Sequence, residues 1–127
     1  MPPHEFPRNK RLLASGEFRK VFEQASFRAP HPYFLLLAIR NERDAARVGL
    51  VVAKKNIRKA VDRNRIKRLI RESFRHRLGT LPSLDIVVLV RKDAGTGENK
   101  QLLAVLDKLW SRLERQAEEQ RAKSEVQ

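Results

Sequence analysis

The sequence predicts one domain of the α+β class, with helices and strands in the order αβββαβα. Three observations carry that expectation. Apolar residues recur at helical spacing in three separate segments, and short runs of aliphatic and β-branched residues lie between them. The chain has 127 residues, enough for one modest core and too few for two.

The opening "MPPHEFPRNK" holds three prolines and little periodicity, and reads as a flexible, extended segment over residues 1–10. The domain proper is expected over residues 11–115. Ser15 can act as an N-cap, and Phe18, Val21, Phe22 and Ala25 follow at i, i+3, i+4 and i+7, which predicts a helix from about Gly16 to Gln24. "SFRA" can form a short edge strand before "APHP" breaks the chain. "YFLLLAIR" is a continuous apolar run suited to a strand buried on both faces. The polar link "NERDAA" leads to "RVGLVVA", a further strand whose simplest arrangement is an antiparallel pair with the one before.

From Val61 the period is helical again. Ile66, Leu69, Ile70, Phe74 and Leu78 make an apolar stripe, Asp62 is placed to cap the start, and Gly79 and Pro82 end the helix. Asn64, Lys67, Arg68, Arg71 and Arg75 occupy the opposite face, with Arg65 beside them. "DIVVLVR" is another buried strand, so the helix bridges two strands of a βαβ unit, which favours a parallel pair. "KDAGTGENK" is a loop or helix-entry turn. A last helix begins near Asn99, with Leu102, Leu106, Leu109 and Leu113 spaced 4, 3, 4. Its pattern ends at "RQAEEQRAKSEVQ", which reads as a charged, fraying tail over residues 116–127.

Hydrophobic residues make up 41%, sufficient for a core, while the formal net charge is +13. Eleven Lys and Arg against Asp62 and Glu72 fall between Lys54 and Arg77, so this stretch alone supplies +9 of the +13. Such local excess points to a polyanion, nucleic acid before an anionic membrane. Surface helices commonly alternate sign for i, i+4 pairing, and here Glu72 is nearly alone in offering it. No apolar run approaches the roughly 20 residues that span a bilayer, and the polar start lacks the apolar core of a secretory signal. Cysteine is absent, which excludes disulfides and thiolate metal sites. A cytoplasmic location is the default expectation.

A catalytic site is hard to assemble from these residues. His4, His31 and His76 are scattered, no metal-binding spacing occurs, and "GTGENK" lacks the full phosphate-loop pattern. No carboxylate pair stands out as acid and base. Phe18 and Phe22, four apart, fit either core packing or stacking on unpaired bases, and spacing leaves both readings open.

"RVGLVVAKKNIRKAVDRNRIKRLIRESFR" resembles the bacterial ribonuclease P protein subunit, with Arg63-Asn64-Arg65 at the family's signature position. "RLLASGEFRKVF", "DIVVLVR" and "LLAVLDKLW" are similar to its first helix, last strand and final helix, so the resemblance covers about residues 7–115. It implies an α/β sandwich of order αβββαβα, like a domain of some ribosomal proteins and translation factors, with a left-handed βαβ crossover against the usual rule. It also implies a subunit of a ribonucleoprotein endonuclease that removes the 5′ leader of precursor tRNA. Catalysis would reside in the RNA and use magnesium, with one protein per catalytic RNA, no catalytic residue and no metal or membrane site on the protein.

By the same resemblance the catalytic RNA would be bound by Arg63, Asn64, Arg65, Lys67, Arg68, Arg71 and Arg75 of the helix, with Lys54, Lys55, Arg58 and Lys59 in the loop before it. The leader would lie in a cleft between the first helix and the sheet, at Phe18 and Phe22, with Leu36 and Leu37 where the cleft strand passes. The competing reading is a non-enzymatic RNA-binding protein of ribosomal or chaperone type. A membrane-surface or DNA-binding protein ranks third, because the apolar stripe of the basic helix is needed for the core.

Overall fold

The computed structural model describes residues 13–126; His4 and the expected lead-in over residues 1–10 lie outside them. Four strands, β1 (Phe27–Pro30), β2 (Phe34–Arg40), β3 (Arg47–Val51) and β4 (Leu84–Val90), make one sheet in the order β1-β2-β4-β3. β2 is antiparallel to both β1 and β4, and β3 is parallel to β4. The helices are α1 (Ser15–Gln24), α2 (Ala60–Arg77) and α3 (Asn99–Val126), with a 3-10 turn at Lys92–Thr96. The element order and the short edge strand agree with the sequence reading. The pairing of β2 with β3 does not: β4, apolar on both faces except at Asp85, takes the central place between them.

Alternation along β2 decides which residue meets which helix layer. Phe34, Leu36 and Ala38 are fully buried, whereas Leu35, Leu37 and Ile39 are half-buried. The expected burial on both faces therefore holds for one face only. The buried face packs on Ile66, Ile70 and Phe74 of α2 and on Leu102, Leu106, Leu109, Trp110 and Leu113 of α3. Each such side chain contributes about 1.5–3 kcal/mol through burial, so this layer dominates stability. Trp110 lies against Phe74, ring centroids 5.7 Å apart, and its Nε1–H donates to Ser73 Oγ at 2.8 Å.

Helix ends differ from expectation in an instructive way. Ala14, not Ser15, is the N-cap of α1; the Glu17 carboxylate turns back and accepts the Ala14 N–H at 2.7 Å. Lys59, not Asp62, is the N-cap of α2, and Asp62 sits within the first turn, where its charge favours the helix dipole. The end of α2 at Arg77 needs no left-handed glycine: among the described residues none has positive φ, and Leu78 continues in right-handed geometry.

The expected fraying tail is also corrected, because α3 continues through it to Val126. Ala117 is buried, and the first part of the tail, as far as Gln120, is tied to β1 and β2. Gln116 exchanges two hydrogen bonds with the backbone N–H and C=O of Arg28, Arg112 donates to Pro30 O, and Arg40 donates to Ala117 O and Gln120 Oε1. Arg121 pairs with Glu118 and Glu125 one turn to either side. None of the described helices is long and apolar enough to cross a membrane.

Candidate nucleic-acid interface

The loop between β3 and α2 is fixed from below and charged above. Ile57 is buried and the Asn56 side chain donates to Val90 O at 3.2 Å, leaving Lys54, Lys55, Arg58 and Lys59 exposed around them. On α2, Ile66, Ile70 and Phe74 face the core, so Val61, Asn64, Arg68 and Arg71 fall on one outward stripe at about 100° per residue. All four are exposed, Val61 by 70%, and the sequence reading did not single out that valine.

Hydrogen bonding sorts the eleven cations of this stretch into two groups. Arg63 donates to the carbonyls of Ile57 and Arg58, folding the loop onto the helix. Arg65 reaches Asn99 Oδ1 at 2.6 Å and so joins α2 to the start of α3. Arg75 pairs with Glu72, and Arg77 is held by Asp107, Ser111 and Glu114 of α3. The remaining seven, Lys54, Lys55, Arg58, Lys59, Lys67, Arg68 and Arg71, have no side-chain partner among the described residues.

A second surface lies on the other side of the sheet. α1 covers it only in part, burying Val21 on Val87 and leaving Phe18, Leu37, Ile39, Val51 and Leu89 partly accessible. Phe18 rests on β3 at Gly49, where a Cβ would run into its ring. Phe22 is 45% exposed. Phe18 thus forms part of the floor of a shallow apolar cleft, whereas Phe22, one turn on along α1, presents its ring to solvent.

Leu36 must be reassigned. Expected where the cleft strand passes, it is fully buried on the opposite face with α2 and α3, while Leu37, one residue on, faces α1. Gly49, Val51 and Leu89 belong to the cleft and went unnamed in the sequence reading. Their parity follows once β2 is paired in register with β4, Leu37 opposite Val87 and Leu35 opposite Leu89.

At one end of the cleft lies a cluster of charge, in which Arg47 and Asp85 are buried. Arg47 Nε and Nη2 donate to the two Asp85 oxygens at 2.9 and 2.7 Å, and Nη2 also meets Glu17 of α1 at 2.6 Å. Asn41 Nδ2 donates to Asp85 Oδ1 at 2.8 Å. The Ala14 N–H and then Arg47 hold the Glu17 carboxyl below the usual glutamate range, burial opposing them in part, and the Asp85 bonds raise Arg47 further above its already high value. The cluster fixes α1 on the sheet. Its carboxylates are taken up by Arg47, and no group of three or more His, Asp or Glu side chains comes together among the described residues to hold a metal. His76 contacts Glu72 on the surface and His31 accepts the Tyr33 N–H.

Comparison with known proteins agrees with this architecture. The family model for Ribonuclease P matches residues 6–114. The chain is 50% identical over 113 residues to the ribonuclease P protein component of Pseudomonas aeruginosa, covering 89% of this chain and 84% of that protein. It is 45% identical over 120 residues to the component of Chromohalobacter salexigens, covering 94% of each. Among solved structures, the Staphylococcus aureus RNase P protein superposes with a TM-score of 0.74 at 28% identity, over 80% of this chain and 92% of that one. The Thermotoga maritima RNase P protein gives 0.68 at 32% identity, over 85% and 96%. Four-stranded mixed sheet, Arg-Asn-Arg helix and chain-long identity together establish that this chain belongs to the ribonuclease P protein component family.

Proposed function

We propose that the chain binds the catalytic RNA of ribonuclease P through the loop and outward face of α2, and the 5′ leader of precursor tRNA in the cleft under α1. As a member of its family the chain is a subunit of a tRNA-processing ribonucleoprotein. The observation that carries the finer reading is the division among the cations. Arg63, Arg65, Arg75 and Arg77 are engaged within the protein and build the surface, while seven neighbours on one helix and loop have no side-chain partner among the described residues. Phosphate is the complementary ligand, bound by charge and, for Arg68 and Arg71, by the bidentate fork. Asn64 can add a neutral hydrogen bond and Val61 an apolar contact.

Phe18 in the cleft and Phe22 one turn on offer ring faces to unpaired leader bases, and base stacking tolerates varied sequence. The protein's part is to bring two polyanions together by lowering their mutual repulsion. Hydrolysis, with the magnesium it requires, is assigned to the RNA.

Reconstitution tests the division of labour. Protein alone should leave precursor tRNA intact, and adding the catalytic RNA should restore cleavage at low magnesium; robust cleavage by protein alone would sink the assignment. Salt dependence then tests the face. Seven phosphate contacts give a log-log slope of about −5 to −6, and Arg68→Ala with Arg71→Ala should reduce its magnitude by about 1.5 to 2. An unchanged slope would place the RNA elsewhere. Phe18→Ala should weaken leader-bearing substrate more than mature tRNA; equal loss would leave the ring with a packing role only.

A further inference from the structure

A groove separate from both surfaces runs between α3 and the turn that joins β1 to β2. Its floor is His31, Pro32 and Tyr33, and its wall is Gln101, Ala104 and Val105. His31 and Tyr33 stand edge to face, ring centroids 5.1 Å apart, and Tyr33 is braced in turn by Phe34 at 6.5 Å. The two rings are therefore fixed, yet each remains partly accessible. Because the Tyr33 N–H donates to His31 Nδ1 at 3.0 Å, the neutral imidazole carries its proton on Nε2 and has a hydrogen bond left to give. Burial, together with Arg112 and Lys108, lowers the His31 pKa and keeps the ring in that neutral form.

Charge around the groove is divided between its ends: Glu98, whose N–H donates to Gln101 Oε1, stands at the start of the wall, and cations stand at the other end. Helical spacing carries the wall from Gln101 and Val105 on to Lys108 and Arg112 along the same flank of α3. The acids of that stretch, Asp107 and Glu114, lie on the opposite flank, where both bind Arg77. The groove thus offers a flat aromatic surface with a neutral N–H donor, a nearby amide, and cations at one end. A purine or pyrimidine ring followed by its phosphate has the complementary layout. An acidic peptide would satisfy the cations and leave the aromatic floor without a matching flat group.

Building on the reading of this chain as an RNA-binding protein, we infer that the groove holds one unpaired nucleotide of single-stranded RNA, its base against Tyr33 and Pro32 and its phosphate toward Lys108. The contact is a third RNA-binding surface, apart from the α2 face and the α1 cleft. Stacking of this kind grips RNA without demanding a particular base.

Tyr33 is the only tyrosine of the chain, so full-length protein labelled with 3-fluorotyrosine gives a single fluorine resonance that reports the groove alone. The protein is titrated with a short oligoadenylate and, separately, with inorganic polyphosphate, while anisotropy of labelled oligoadenylate follows total binding. The resonance is expected to move saturably with oligoadenylate and to stay in place with polyphosphate. Lys108→Glu, at an exposed position, should raise the saturating concentration roughly tenfold. Arg68→Ala with Arg71→Ala should lower total affinity and leave the resonance shift at saturation unchanged. A stationary resonance alongside salt-sensitive anisotropy would overturn the groove and leave the RNA-binding reading standing. Loss of all anisotropy change would overturn both. Equal movement with polyphosphate would overturn base stacking, and an unaffected Lys108→Glu titration would overturn the phosphate placement.

Discussion

The two faces of the sheet are drawn from alternate residues of the same strands, yet they are finished differently. Toward α2 and α3, Phe34, Leu36, Ile86 and Val88 have no exposure and meet an apolar layer that includes Trp110. Toward α1, Leu35, Leu37 and Ile39 remain half-buried, and a ten-residue helix is fastened at one end by the Glu17–Arg47–Asp85 cluster. The difference teaches how a small chain can divide its burial: concentrating it on one side provides the stability, and the other side is left partly open.

Substitutions on the two faces can break this comparison. Trp110→Ala, on the closed side, should cost about 3–5 kcal/mol in urea unfolding, against about 1 kcal/mol for Leu37→Ala on the open side. Similar losses would mean that both faces carry the fold. Next in size is Gly49→Ala, whose new methyl group meets the Phe18 ring and should cost about 1–3 kcal/mol. Phe18→Ala in the same chain should relieve part of that cost, with a coupling above about 0.5 kcal/mol; strict additivity would show that the ring does not rest on Gly49.

The smallest expected effect concerns pH and the fastening of α1. The Ala14 N–H and Arg47 depress the folded pKa of Glu17. Its stabilising contribution is therefore complete above the unfolded value of about 4.3 and is lost as pH falls through the folded one. Glu17→Gln should lower stability near neutral pH, with the gap from the parent chain closing below about pH 4. A gap that stays constant into acid would assign the loss to packing and sharpen the role of Arg47.

Local patterns made much of this legible. Helical spacing located all three helices, and the apolar stripe of α2 marked the opposite, cationic face as the outward one. Features that depend on distant chain segments were not legible. The strands β2 and β3 are close in sequence, so only the placement of β4, more than thirty residues later, shows that they are not paired. Leu36 and Leu37 have the same character, and a single step of strand parity decides which one reaches the cleft. Arg63 and Arg65 looked like Arg68, but their guanidinium groups find carbonyl and amide partners that folding brings near. The last helix seemed to end where its leucines end, because Gln116 and Gln120 hold it through polar contacts that leave no hydrophobic period.

Those glutamine contacts bear on how the protein behaves in company. β1 is an outer strand, and such a strand ordinarily offers a ladder of backbone groups on which another chain can build. Here the outward N–H and C=O of Arg28 are occupied by one glutamine amide, the outward C=O of Pro30 by Arg112, and Pro30 has no N–H to offer. A neighbouring copy finds no template along this edge. Gln116, where the stretch that reads as a charged tail begins, and Arg112 one turn before it thus cover this edge, and strand addition to β1 is disfavoured on that side.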